Sequence, residues 1–547
     1  MKPVFTFLFL FISCVSLFGQ GKTYWVTFTD KNASTFTTDS PEDYLSPQAI
    51  ARRTKFNIPI VENDLPVPQM YVDVINDLDA VVLQTSKWMN GATVSADEDE
   101  ATQIADLSFV QEVKEIKKTA KSAVADKFVY TETIISNSDA TNLEYGEGNN
   151  QITMIEGNLL HDMGYTGTDI EIAVFDNGFN NADSSIYFEN ARDEGRLIPV
   201  YDFVDNDTTV GGGSHGTNVL STMLADIEGD FVGAAPDATY YLFRTEDGAG
   251  EGLYEEINWM MAAEKADSML GENAIFTTSL GYSNGFNITA DEHTYDDMDG
   301  NTTIITNAAD MAASKGILVI NSAGNEGNSD WTYITAPADG DSVLAIGAVN
   351  FNAVHEGFSG RGPSFDGRLK PNVCAQGSGI TAVNTSDNLV NINGTSFSCP
   401  ILAGYAACLW QSMIDTPSMD LFRIIEESAH LYNTPDNNFG YGVPNLRSDW
   451  VSLVERAQDD IENRIAIYPN PVIENTIFSY TASQNSDYEF VIYNMMGQTM
   501  SVRQAVLQNE ENYQFTLAEL STDFPSGTYI FIVSSDDKNV FESFVVE

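Results

Sequence analysis

"NINGTSFSCPILAGYAACLW", residues 391–410, sets a small-residue turn directly against a long apolar run. Gly394-Thr395-Ser396 bends the chain. The apolar run reads as a buried helix, with Pro400 in its first turn, where a missing N–H costs nothing. A hydroxyl at the mouth of such a helix has two readings. Serine and threonine are favoured helix caps on physical grounds alone. A serine there is also placed to act as a nucleophile, because the amide end of a helix stabilises developing negative charge. The choice depends on whether the rest of the chain supplies a base, an orienting acid and a scaffold.

The scaffold is the first requirement. From about 151 to 455 short apolar strands alternate with helical segments, the pattern of an α/β sheet. "EIAVFD", "ATYYLFR", "AIFTTSLG", "GILVINSA" and "SVLAIGAV" read as strands, and "EEINWMMAAEKADSML" and "TNAADMAASKG" as helices. The base is sought among five histidines, since only imidazole has the right ordinary pKa. His293 and His355 sit in polar, loop-like text, His430 ends an amphipathic helix, and His161 reads as part of a surface helix. His215, in "GGGSHGTNVLSTMLAD", comes after a flexible glycine run and opens an apolar helix. The same run lacks the Gly-Lys-Ser/Thr of a phosphate loop, which removes nucleotide binding. An orienting carboxylate is available in Asp176, at the carboxyl end of the strand "EIAVFD", where open α/β sheets gather their ligands. Alone, each residue is also a turn former or loop residue. In the order Asp176, His215, Ser396 they fit a known serine triad.

"IAVFDNGF", "SHGTNVLS" and "NGTSFSCPILAG" together resemble the subtilisin-like serine peptidases, or subtilases. "NSAGNEG", "TSLGY", "FSGRGPSFDGRLKPNVCAQG" and "GYGVPN" extend the resemblance over about 300 residues. Phe397 and Ser398 depart from the family's usual Met-Ala without replacing the nucleophile. The resemblance implies a mostly parallel sheet with helices on both faces. It makes Ser396 both a helix cap and the nucleophile, His215 the base and Asp176 its orienting acid, with Asn325 steadying the oxyanion. It implies that Ser279, Leu280 and Gly281 pair with a peptide or protein substrate as an added strand. Ala323, Gly324 and Asn325 would form the facing wall of the specificity pocket, with Thr335 near its floor. No buried charge is evident there, which favours an apolar or broad preference. No cofactor is required for this chemistry. The family's structural calcium is compatible with the chain's acidity, but no ligand set is readable. A serine esterase and a catalytically silent surface or adhesion protein on the same fold are the rival classes.

The flanks set the context. Residues 1–20, "MKPVFTFLFLFISCVSLFGQ", have the positive start, short apolar core and small residue of an export signal. No later run is long enough to span a membrane. Residues 21–120 read as a small α+β unit: "TYWVTF" and "MYVDVI" as strands, "SPQAIARRTKF" as a helix, "DEDEATQIADL" then "VQEVKEI" as helix then strand. Its position resembles a pro-segment, with a linker after it at 121–150. Residues 463–547 read as an all-β sandwich. "IYPNPV", "VIYNMMGQ" and "LSTDFPSGTYIFIV" resemble the sorting domains of the type IX secretion route of Bacteroidetes bacteria. The resemblance implies export through the periplasm to the exterior or cell surface, with that secretion machinery as a partner. The 79 acidic against 26 basic residues, a formal charge of −53, argue against nucleic acid and anionic membranes. Beyond Cys14 there remain Cys374, Cys399 and Cys408, an odd number without metal-ligand spacing. On one helix Cys399 and Cys408 fall on opposite faces, roughly 13 Å apart along the axis, too far to bridge.

Overall fold

A computed structural model describes residues 22–117, 133–134 and 145–445, together with most of 465–546. The expected signal segment and most of the expected linker lie outside those residues. Two compact units divide the chain, one of Met1–Gln411 with Asn433–Val443, the other of Ser412–Tyr432 with Pro444–Glu547.

The apolar runs of the first unit assemble into a seven-stranded sheet. Its order is 373–376, 343–349, 318–322, 274–278, 171–176, 239–244 and 197–202, and every adjacent pair is parallel. Strands such as Val343–Val349 are buried at every residue, which is why they read as unbroken apolar runs. The α/β expectation is met. The chain starts at 171–176 and builds to one side through 197–202 and 239–244. It then returns to build the other side from 274–278 onward. The order therefore reverses between 171–176 and 274–278, and ligands of such sheets collect beyond the carboxyl ends at that point. Helix Thr395–Ser412 is buried from Thr395 to Trp410, so its sequence shows no polar face.

Residues 22–117 form a four-stranded antiparallel sheet, ordered 81–86, 91–96, 22–28 and 110–117, with three helices. Ser46 caps helix Pro47–Lys55, and Asp97 with Glu100 closes a capping box on Glu98–Ala105. "MYVDVI" is helix rather than strand: Gln69–Asn76 turns Tyr71 and Ile75, one helical turn apart, into the core. Six residues are too few for alternation to separate the two periods. The unit docks on helix Leu253–Met269 through charge. Arg52 meets Asp267 at 2.5 Å and donates to the carbonyls of Asp267, Leu270 and Gly271, the orphan acceptors at that helix's end. Arg53 bridges Asp64 and Asp267 at 2.9 and 3.2 Å, and Lys315 reaches Asp64 at 3.3 Å, all four fully buried or nearly so. Within the expected linker, Thr133–Ile134 adds a third strand to the hairpin of Ile380–Val383 and Leu389–Ile392.

The second unit contains helix Ser418–Glu427 and two antiparallel sheets, of three and four strands. Phe478, Phe490, Phe515, Phe531 and Phe544 fill its core. Strand Thr499–Leu507 had no counterpart in the sequence reading. It lies at a sheet edge with most residues exposed or half-buried, so it carries little apolar alternation.

Candidate active site

Asp176 ends its strand fully buried, and His215 is the first residue of helix His215–Leu224. A glycine lets them meet. A Cβ at Gly216 would stand 2.5 Å from the Gly178 carbonyl oxygen and 3.0 Å from Asp176 Cβ. Without it, the helix closes on the strand end, and His215 Nδ1 lies 2.7 Å from Asp176 Oδ1, both side chains sealed from solvent. Asn177 N–H donates to the same oxygen at 2.7 Å and holds the carboxylate in place. A carboxylate acceptor calls for the proton on Nδ1, which gives Nε2 the lone pair.

The serine turn is brought to this pair by the hairpin behind it. Asn218 Nδ2 donates to Val383 O at 3.1 Å, and Val383 N–H donates to Ser221 Oγ at 2.8 Å. Those bonds tie the His215 helix to the strand whose partner leads into Gly394. Phe397 then packs its ring against the imidazole, centroids 5.8 Å apart. The departure from the family's usual residue thus touches the site. Ser396 is the second residue of its helix, and its Oγ donates to Ser279 O at 3.3 Å. It does not cap the helix, contrary to the sequence reading. Asn325 does so from across the site, its Oδ1 accepting Thr395 N–H at 2.9 Å and Thr395 Oγ1–H at 3.0 Å. A backbone N–H can only donate, so the atom facing it is the carbonyl oxygen and the Asn325 NH2 faces away. Asn325 is exposed.

Ser279, Leu280 and Gly281 continue strand Ala274–Thr278, and Ala323, Gly324 and Asn325 continue its neighbour Leu318–Ser322. The two extensions run side by side. Ser279 is locked to the serine turn, its Oγ donating to Ser396 O at 2.7 Å. Thr335 sits behind both extensions. Its Oγ1 lies 2.1 Å from where a Cβ on Gly281 would stand and 2.8 Å from one on Gly324. Gly324 also has φ +95°, so glycine is required there twice over. Sequence reasoning saw no buried charge in this region, and Glu326 corrects it. Its Oε2 is buried and lies 2.6 Å from the same Gly324 Cβ position. Burial raises its pKa, against the backbone N–H groups of Asn325 and Glu326, which favour the charge. Nothing in "NSAGNEG" marks the residue, because Glu before Gly reads as an exposed turn.

His293 and His161 are held in the framework. His293 Nε2 meets Glu256 Oε1 at 2.6 Å. His161 is half-buried rather than on the surface, with Tyr145 OH and Ala234 O each 3.1 Å from a ring nitrogen. Cys374, Cys399 and Cys408 are free and buried. Among the described residues Glu246, Glu251 and Glu255 bring carboxylate oxygens within 4.8 Å of one another. Glu246 accepts from Tyr282 OH and Thr245 Oγ1–H. Glu255 accepts the N–H groups of Asp247 and Gly252 at the start of helix Leu253–Met269. Glu246 and Glu255 thus serve the loop and the helix cap. No described helix is long and apolar enough to cross a membrane.

A buried His–Asp pair and a helix-borne serine lie beyond the strand ends of a parallel sheet. Residues 167–442, half of the chain, match the family profile described as "Subtilase family". The chain belongs to the subtilase family and is a serine-type endopeptidase. Residues 23–128 match "Peptidase S8 propeptide domain, Bacteroidota", and 466–547 match "Secretion system C-terminal sorting domain". The last match makes the protein secreted or cell-surface. Subtilisin E of Bacillus subtilis (strain 168) is 28% identical over 379 residues, 69% of this chain and 84% of that protein. Subtilisin of Bacillus pumilus is 29% identical over 300 residues, 54% and 96%. The solved structure of Sphericase aligns at a TM-score of 0.42 and 24% identity, covering 52% of this chain and 93% of that one.

Proposed function

We propose that the protein cleaves peptide bonds through an acyl-enzyme on Ser396. His215 acts as base and then acid, Asp176 orients it, and the oxyanion is held by Asn325 Nδ2 with the Ser396 backbone N–H. The observation that carries this reading is the sealed 2.7 Å contact between His215 Nδ1 and Asp176 Oδ1, beside the serine turn. A substrate strand laid along Ser279, Leu280 and Gly281 competes for the Ser279 carbonyl that now accepts the Ser396 hydroxyl. The freed hydroxyl turns to His215 Nε2, gives up its proton as it attacks the carbonyl carbon, and forms the tetrahedral adduct. His215 then protonates the leaving amine. Water, deprotonated by the same nitrogen, releases the acid product and restores Ser396. Residues 1–20 act as the export signal, 21–120 as pro-segment, 121–150 as linker, 151–455 as catalytic domain and 463–547 as type IX sorting domain.

The test is intact mass of the purified, signal-free protein beside its Ser396→Ala variant. Wild type is expected to lose the N-terminal unit while the variant keeps it. A serine-directed phosphonate should label Ser396 in the wild type. Absence of both processing and labelling would sink the reading.

A further inference from the structure

Arg244 ends the strand beside Asp176 and stands opposite it in the register, with Asp202 opposite on the other flank. A cation is costly to bury at the end of an apolar strand, and Arg244 is 8% exposed. One end of its guanidinium balances the charge: Nη1 donates to Asp202 Oδ2 at 2.6 Å and to Asp205 Oδ2 at 2.7 Å. The other end meets the site. Nε donates to Asn177 O at 2.9 Å, and Asn177 is the residue whose N–H holds Asp176 Oδ1. The guanidinium also lies against the loop that enters His215. A Cβ on Gly212, at φ +97°, would stand 2.5 Å from Arg244 Nε and Cζ. One planar group thus touches the turn after Asp176 and the glycines before His215. Backbone bonds from Phe179 N–H to Val210 O and from Asn180 N–H to Gly213 O already join turn to loop, so the guanidinium is not needed merely to hold them together.

Resting on the triad reading, we propose that Arg244 is a positioning residue for the reaction, aiming the Asp176 carboxylate at His215 by fixing Asn177. Asp176 Oδ1 takes two bonds, from Asn177 N–H and from the imidazole, at 2.7 Å each. Asp176 Oδ2 is buried without a hydrogen-bond partner, so the aim of the carboxylate rests on Oδ1. The Asn177 side chain adds nothing at its own oxygen, which is buried and unpartnered as well. Residue 177 is therefore steadied through its backbone, at the carbonyl by Arg244. Arginine suits the task because its rigid fork donates to a carbonyl and to carboxylates in fixed directions at once. A lysine ammonium would satisfy the carboxylates from a flexible stem and leave the carbonyl unaimed.

The test compares wild type with Arg244→Met and Arg244→Lys. Processed protein is assayed on a peptide p-nitroanilide, with kcat counted per Ser396 labelled by the phosphonate. Arg244→Met should lose about tenfold to a hundredfold in kcat, with KM within about twofold of wild type. Arg244→Lys keeps the charge and the fold but not the aim, and should lose about tenfold. The second readout is the downfield proton resonance of His215 Nδ1–H in the uncut Ser396→Ala chain, identified by its loss in His215→Gln. Either substitution at 244 should shift it upfield, a change that a purely structural role would not produce. Should Arg244→Met fail to fold, Arg244→Lys decides. A folded variant with wild-type kcat overturns the proposal, as does an unmoved resonance beside a slowed kcat. If wild type labels and cleaves while the variants match it, the positioning claim falls alone. A wild type that neither labels nor cleaves brings down the triad reading and this claim together.

Discussion

Asn325 has two ends with different tasks. Its oxygen caps the serine helix through Thr395, and its NH2 is the proposed oxyanion donor. Asn325→Asp keeps an acceptor for Thr395 and removes the donor. It should therefore melt near wild type yet lose about 10²–10³ in kcat. Asn325→Ala should lose activity and some thermal stability together, as read by steady-state kinetics beside calorimetry. Asp176→Asn should cost about 10⁴ in kcat by favouring the wrong tautomer, with KM little changed. The residues of the proposed triad were legible because their chemistry restricts the choice: five histidines, and one of them after glycines and before an apolar helix. Glu326 was not legible, since its burial depends on a backbone turn at Gly324 and on Thr335 arriving from elsewhere. Ser396 looked like a cap because capping is common at such turns, whereas the actual cap comes from a residue 70 positions away.

Helix Leu253–Met269 links the catalytic sheet to the N-terminal unit through Asp267. Burial alone would raise that carboxyl, but Arg53, Lys87 and Arg52 outweigh it and hold its pKa far below the usual range. Removing the acid leaves buried cations uncompensated. Asp267→Asn, made in the Ser396→Ala chain so that nothing is cut, should lower unfolding free energy by about 3–5 kcal/mol, measured in urea. Lys315 has the opposite pH logic. Burial lowers its pKa to about 8, so the folded chain sheds this proton while the unfolded chain keeps it up to about 10.5. Between those values its contribution to stability rises with pH. Ser396→Ala should therefore gain urea resistance from pH 7.5 to 9.5, relative to the same chain with Lys315→Met, by on the order of 1 kcal/mol. Equal gains in both chains would refute the assignment. At this scale the sequence was read best where burial was complete, as in Val343–Val349, and worst where pattern was short, as in Gln69–Asn76.

Over the whole molecule, 79 acidic against 26 basic residues make self-repulsion a standing cost to the compact state. The melting temperature of Ser396→Ala should rise from low salt to roughly 0.5 M NaCl, as screening shortens the reach of surface charge. Reductant should leave it unchanged, because Cys374, Cys399 and Cys408 are unpaired and buried. The succession of α+β, α/β and all-β regions was legible from composition and period, whereas the docking of residues 22–117 was not. Arg52 and Arg53 sit in "AIARRTKF", which reads as the exposed face of a helix until Asp267 is folded against it. The bond between Thr395 and Asn325 reaches furthest of all. Because it joins the strand extension to the serine turn, a mutation that shifts either one detunes both, and variants with altered chemistry should rarely survive selection.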